Sequence, residues 1–345
     1  MRIAVVGGGL FGCTAAIHAA RAGHDVHLFE AKPGLMLGAT AGTFARLHRG
    51  AHYPRDAATG RESRRAEALF RAEYGAAVID GGRQFYVVPD EGSHVSGEEF
   101  RQFLDNEGIA FSEEDYVFQV SEPRVDLAGL GALVRQKVSD AGVNVHLDTM
   151  ATSDLRRQFD RIVVAAYSGI NEVLWQLDCP VEEYKFQVVE RFVVLLPDEF
   201  RETSMVVIDG PFGCIDPLDD TPLHIMGHVV HANHAENVGY RPHIPDHLAP
   251  LIDKGIIRNP PLSRFKEAVD DLARYIPGLE KAVYVGSSFV VRAVLAHQEQ
   301  TDARPTLVER LDEQVIKVFS GKLGTAVRAA RDVLALVGSE MELAA

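Results

Sequence analysis

The 345-residue chain has few cysteines, a single tryptophan and no long uninterrupted apolar run. Its three cysteines, Cys13, Cys179 and Cys214, are far apart and odd in number, which excludes a disulfide framework and points to a reduced, cytoplasmic setting. The first apolar run ends at Gly7, too early for a signal peptide, and no segment is long enough for a transmembrane helix. Basic residues are outnumbered, 35 Lys and Arg against 49 Asp and Glu, for a net charge of −14. That balance argues against nucleic acid or an anionic membrane as partner, since both require a basic surface. There is no internal repeat and no low-complexity segment. The length suits two or so domains, at roughly 150 residues each.

What the chain does have is concentrated at its start, MRIAVVGGGLFGCTAAIHAARAGHDVHLFEAK. Arg2 to Val6 reads as a buried strand, Gly7, Gly9 and Gly12 form GxGxxG, Cys13 to Ala22 is helix-forming, and Asp25 to Phe29 reads as a second strand. This is a complete βαβ unit. A pyrophosphate fits such a turn because the helix N-terminus offers unpaired N–H groups and the positive end of its dipole. Glu30 follows Gly12 by 30 − 12 = 18 residues, close to the spacing of a carboxylate that binds ribose hydroxyls, and its charge disfavours NADP.

The loop KPGLMLGATAGT leads into Phe44-Ala45-Arg46-Leu47-His48-Arg49-Gly50-Ala51-His52-Tyr53-Pro54-Arg55, where two histidines, three arginines and a tyrosine make a candidate site. Helices are predicted over Arg61–Tyr74, Glu98–Glu107, Asp126–Ala141 and Ser263–Tyr275, with the acidic residues of Glu98–Glu107 read as a solvated face. Phe159–Ala166 reads as a buried strand running into Tyr167-Ser168-Gly169. From Tyr184 to His231 alternating strands predominate, as in an antiparallel sheet. His224, His228, His231 and His234 form no known zinc spacing, so no metal is expected. Val283–Leu295 is an apolar strand pattern carrying Arg292, a charge that must find a partner or a ligand. Val315–Phe319 is a strand that feeds the Gly-rich turn Ser320-Gly321-Lys322-Leu323-Gly324 and then a helix, a second anion-binding arrangement.

The opening βαβ unit, the small-residue loop and the Leu47-His48-x-Gly50 step resemble the D-amino-acid-oxidase-like flavoprotein superfamily. They are most similar to the branch of 2-hydroxyglutarate oxidases, glycerol-3-phosphate dehydrogenases and glycine or sarcosine oxidases. Residues 320–325 resemble the Gly-Gly-Lys-Leu-Thr-Thr motif of glycerol-3-phosphate dehydrogenases, with Ser320 in place of the first glycine. The resemblance implies FAD rather than NAD, with His48 beside the flavin ring and the Lys322 turn facing its pyrimidine side. It departs from the family at Tyr167, where glycine is usual. The cofactor-binding set it implies is Gly7, Gly9, Gly12, Glu30, Lys32, Arg46, Leu47, His48, Val145, Ala166, Gly321, Lys322 and Leu323.

The expectation is an α/β fold. A Rossmann-like FAD-binding domain (1–75, 130–180 and 285–345) is joined to a mixed or antiparallel-sheet substrate domain (76–129 and 181–284). The activity expected is FAD-dependent oxidation, as oxidase or dehydrogenase, of a small carboxylated amine, amino acid or 2-hydroxy acid at its alpha carbon, with oxygen or another electron acceptor. The catalytic candidates are His48 as proton acceptor, an imidazole that ordinarily titrates near neutrality, Lys322 and the N–H groups of 321–324 against negative charge on the reduced ring, and Arg292 or Arg304 as carboxylate clamp. A salt bridge from Arg292 to Glu299 or Asp302 is the structural alternative. Competing readings are a nicotinamide-dependent dehydrogenase and a non-redox or sugar-mutase-like flavoprotein. An aromatic-hydroxylase type is disfavoured because no Gly-Asp-Ala segment follows the substrate domain.

Overall fold

The computed structural model describes residues 1–298 and 303–338. Glu299 and Asp302, the proposed ion-pair partners of Arg292, lie outside the described residues. The first strand, Arg2–Val6, is the middle of a six-stranded sheet in the order Leu307–Arg310, Val315–Phe319, Arg161–Val164, Arg2–Val6, Asp25–Phe29, Asn144–His146. All neighbours are parallel except the edge pair Leu307–Arg310 and Val315–Phe319. Both faces are covered, which is why the strands read as continuous apolar runs rather than alternating ones. Ile3 and Val5 pack against the helices Leu10–Arg21, Leu127–Asp140 and Ala326–Gly338. Ala4 and Val6 face Leu155, Phe159 and Leu174, together with Tyr184, Phe186, Val291 and Ala293 from the second sheet.

The second sheet has nine strands and is mixed. Most pairs are antiparallel, but Thr203–Val207 runs parallel to Arg83–Val87. Its spine is the long strand Tyr184–Leu195. Along one edge of this strand lies Val283–Leu295, over almost its whole length. Along the other edge Asn233–Gly239 pairs with the first half and Leu223–His228 with the second. Residues 285–295, expected in the nucleotide half, thus pair within the second sheet, whereas Leu307–Arg310 and Val315–Phe319 join the first: the apolar pattern of Val283–Leu295 identifies a strand but carries no information about its partner. The acidic helix is also more than a solvated face. Gly97–Asn106 begins with a capping box in which Ser96 and Glu99 satisfy each other's backbone donors.

Among the described residues no helix is long and apolar enough to cross a membrane. Cys13, Cys179 and Cys214 are free thiols.

Candidate functional site

The βαβ turn forms one wall of a cleft of about 380 Å³ that also takes in Lys32, Thr40, Thr43, Ala151, Ala165, Ala166, Tyr167, Ser320, Gly321 and Leu323. Gly7 has φ +111°, a left-handed conformation, and a Cβ there would lie 2.5 Å from the Ala165 carbonyl oxygen. A Cβ at Gly12 would collide with the Gly7 carbonyl, so both glycines are needed for the strand and helix to meet. Gly9 caps the helix Leu10–Arg21 with no side chain of its own; Leu10 N–H reaches Thr40 Oγ1 at 3.4 Å, and the other N–H groups of the helix start remain open to an anion. The Glu30 carboxylate is held by two donors, Gly8 N–H at 2.6 Å and Lys32 N–H at 2.8 Å, and lines the cleft. The donors, the glycine cradle and the oriented carboxylate fit a dinucleotide. Val145 is exposed on the edge strand and does not line the cleft, whose walls at that end are Thr149, Met150 and Ala151.

If Glu30 binds the ribose, Glu30→Ala should weaken FAD binding by about tenfold or more, the loss of a charge-assisted hydrogen bond. Fluorescence titration of apoprotein with FAD measures this. Unchanged affinity together with a less stable apoprotein would leave Glu30 only the task of holding Gly8 and Lys32.

At the other end, residues 45–47 are zipped to 123–125 through Leu47 N–H to Pro123 O at 2.9 Å and Val125 N–H to Ala45 O at 2.7 Å. Arg46 does not reach the cleft. It is buried and paired with Asp216 at 2.9 Å; burial opposes its charge, and Asp216 together with Cys214, Tyr86 and Glu122 more than offsets this, so its pKa is raised. Leu47 is buried beneath Gly324, where a Cβ would come within 2.6 Å of it. These two expected cofactor contacts therefore position the loop on which His48 sits.

His48 lies tilted against His52 and edge-to-face with Tyr53, with ring centroids 4.8 and 5.6 Å away, and the Lys322 Nζ is 4.7 Å from the Tyr53 centroid. Behind them Glu122 accepts from Tyr86 O–H at 2.8 Å and Arg49 N–H at 2.6 Å, and lies 3.7 Å from His48 Nδ1. Burial, then Lys322 and Arg46, hold the His48 pKa well below the usual imidazole value. His52 is held down in the same way, by burial and then by His48, Arg46, Lys322 and Arg304. The expectation of an imidazole titrating near neutrality is thereby corrected: both rings are neutral there.

The sign of the consequence for stability follows. Below about pH 6.5 the unfolded imidazoles take up protons that the folded ones refuse, so stability falls as pH drops, by up to about 1.4 kcal/mol per pH unit for each such histidine. Urea unfolding at several pH values measures the slope, and His52→Asn should flatten it. An equal slope in the variant would contradict the buried neutral state.

The C-terminal turn is also refined. Gly321 N–H donates to Thr306 Oγ1 at 3.0 Å, so any anion contact there falls to the N–H groups that follow. Arg292 lies on the second sheet, opposite Gln187 and half-buried. Arg304 is half-buried, and Thr59 Oγ1 accepts its N–H at 3.3 Å. Tyr167 takes a left-handed φ of +51°, a conformation that glycine adopts without strain and other residues seldom do. It feels the charges of Arg292, Arg304 and Arg191.

Of the four histidines, His228 and His231 approach Asp271 at 3.0 and 3.8 Å. His228 Nδ1 accepts from the Val230 and His231 N–H groups at 3.1 and 3.2 Å, so the ring's proton sits on Nε2 and is donated to Asp271. A metal-ligating histidine donates through its second nitrogen. Here that nitrogen is an acceptor, which argues for a hydrogen-bonded cluster rather than a cation site.

The residues that sequence reasoning passed over are Tyr86 and Glu122, for which no local signal exists.

The chain belongs to the family of FAD dependent oxidoreductases (DAO), which it matches over residues 2–330. It is similar to the FAD-dependent monooxygenase kojA of Aspergillus flavus, 27% identical over 98% of this chain and 86% of that protein. In fold it is similar to glycine oxidase from Geobacillus kaustophilus (TM-score 0.71, 15% identity, 99% and 97% of the two chains). It is also similar to L-amino acid deaminase from Proteus vulgaris (TM-score 0.70, 10% identity, 99% and 94%).

Proposed function

Starting from that membership, we propose that this FAD-dependent oxidoreductase removes a hydride from the carbon bearing the amine or hydroxyl of a small carboxylated substrate. The observation that carries this reading is His48. It is half-buried and held neutral, and among the described residues its Nδ1 has no hydrogen-bond partner. The nearby Glu122 carboxyl favours the tautomer with the proton on Nδ1, which leaves Nε2 to accept a proton from the substrate hydroxyl or ammonium. FAD, when bound, supplies the two-electron acceptor. The Gly7–Gly12 turn and Glu30 hold its ADP portion, and Ala166 with the 321–323 turn flanks the remainder. Lys322, Arg292 and Arg304 make the substrate end electropositive, which suits a carboxylate. The three reduced cysteines keep a cytoplasmic setting as part of this proposal.

A second reading, hydroxylation, is favoured by the Aspergillus relative, an FAD-dependent monooxygenase. The test is an anaerobic screen of amino and hydroxy acids that follows flavin absorbance. Bleaching by such an acid, and not by its carboxamide, is expected. Flavin that is reduced only when NADH or NADPH is added would replace the proposal with the hydroxylase reading. Flavin reduced by neither would favour a non-redox role.

A further inference from the structure

Residues 241–262 carry five prolines and, apart from the single turn Ala249–Leu251, form no helix or strand of their own. Proline fixes φ and withholds a donor, so such a segment takes its shape from the element it lies on. Here that element is the second sheet. Leu248 and Leu251 are buried and pack with Val188 and Phe289. Asp253 N–H donates to Phe289 O at 2.9 Å, and Ile257 and Ser287 exchange two backbone hydrogen bonds at 2.8 and 2.9 Å. The segment is thus seated on the strand Val283–Leu295.

Two of its side chains reach away from that sheet to the nucleotide half. Asp253 accepts from Lys32 Nζ at 2.7 Å. Arg241 lies 3.0 Å from Glu172, with its guanidinium 4.3 Å from the Trp175 ring centroid. Asn171 Nδ2 donates to the neighbouring Tyr240 carbonyl at 2.9 Å. Lys32, Glu172 and Asp253 all line the cofactor cleft. Lys32 follows the strand Asp25–Phe29, and Glu172 belongs to Ile170–Gln176, the helix that follows the strand Arg161–Val164. Those two strands flank Arg2–Val6, whose C-terminal end carries the glycine turn. A segment tied to both sides therefore bridges the crevice at the end of the sheet where the dinucleotide site lies.

Partners in a 2.7 Å contact leave no passage between them, so a cofactor that enters or leaves on this side must part them. We propose that residues 241–253 are a strap that retains FAD, with Lys32–Asp253 as its main clasp and Arg241–Glu172 as the weaker second. The inference rests on the chain's membership of an FAD-dependent family and is independent of the hydride reading. The clasps suit the task because both are part-exposed, and ion pairs of that kind are weak enough to open and close. A strap that closes over the cleft with and without FAD slows entry and exit by the same factor, the ratio of closed to open forms, and leaves the affinity nearly unchanged. A side chain that binds FAD directly slows exit alone.

The test measures both rates on the full chain. Release is read as the rise in flavin fluorescence when holoprotein is diluted, and binding as the quench when FAD is mixed with apoprotein. Asp253 takes a left-handed φ of +55°, which Asn also tolerates, so Asp253→Asn removes the charge without straining the turn. A part-exposed ion pair is worth a factor of up to about five. Asp253→Asn should therefore accelerate release and binding alike by about two- to fivefold and change the dissociation constant by less than about twofold. Adding Glu172→Gln should bring both rates to about tenfold above wild type. If the double variant yields no soluble holoprotein, Asp253→Asn alone decides. The proposal is overturned if both variants exchange FAD as wild type does, including the case in which only the thermal midpoint of the apoprotein falls, the mark of a purely structural ion pair. It is also overturned if release alone accelerates and affinity falls in proportion, the mark of direct contact with FAD. Faster exchange in a protein that no acid bleaches would sink the hydride reading alone. Bleaching by an acid in a protein whose exchange ignores Asp253 would sink this inference alone.

Discussion

Replacing His48 with Asn is expected to slow anaerobic reduction of the flavin by about 10²–10⁴-fold, the range over which a positioned proton acceptor contributes. Asn keeps much of the volume and some polarity but cannot take up a proton. Half-saturation by substrate should change far less, because the loss falls on the proton transfer and not on the carboxylate. The pH dependence is the sharper discriminator. Burial, Lys322 and Arg46 hold the imidazole neutral well below its usual value. The wild-type rate should therefore be flat through neutrality with respect to His48 and decline only on the acid side, where the ring finally takes a proton. That acid limb should vanish in His48→Asn. A variant that loses folding and activity in proportion, or that keeps the acid limb, would reduce His48 to a packed ring between His52 and Tyr53.

The parts of the molecule that could be read from the sequence are those whose chemistry is local. The βαβ turn needs glycine at Gly7 and Gly12 for contacts made within a few residues or against the next strand, and Glu30 follows at a distance set by one helix and one strand. The strand, turn and helix around Lys322 are likewise contiguous. What escaped notice depends on register between distant segments. Nothing in residues 283–295 states that they pair with 184–195. Glu122 becomes part of the site only because residues 45–47 zip to 123–125 and bring His48 to within 3.7 Å of it. Asp253 was passed over because its partner, Lys32, lies 221 residues away in the chain. Arg46 errs the other way, since its Asp216 partner comes from a strand 170 residues on.

Lys322→Met should slow flavin reduction by about 10²–10³-fold, by analogy with the removal of one preorganised electrostatic group, and it should do so through two separable effects. Lys322 caps the short turn Leu323–Thr325, and its Nζ lies over the Tyr53 ring. If this charge offsets the negative charge that accumulates on the cofactor side, its removal lowers the midpoint potential of the bound flavin while FAD stays bound. The same charge is the first cation that opposes protonation of His48, after burial itself, and it also acts on His52. Without it both imidazole pKa values rise toward the usual value, so the acid limb of the reduction rate should move to higher pH. Lys322→Arg keeps the charge and should preserve both properties in large part. A lowered potential with an unmoved acid limb would separate Lys322 from His48 and leave only the cofactor role. An unaltered potential with a shifted limb would make Lys322 a positioning residue that tunes His48. If neither changes, its ammonium serves only to pack against Tyr53, and the electropositive character of this end of the cleft must come from the arginines.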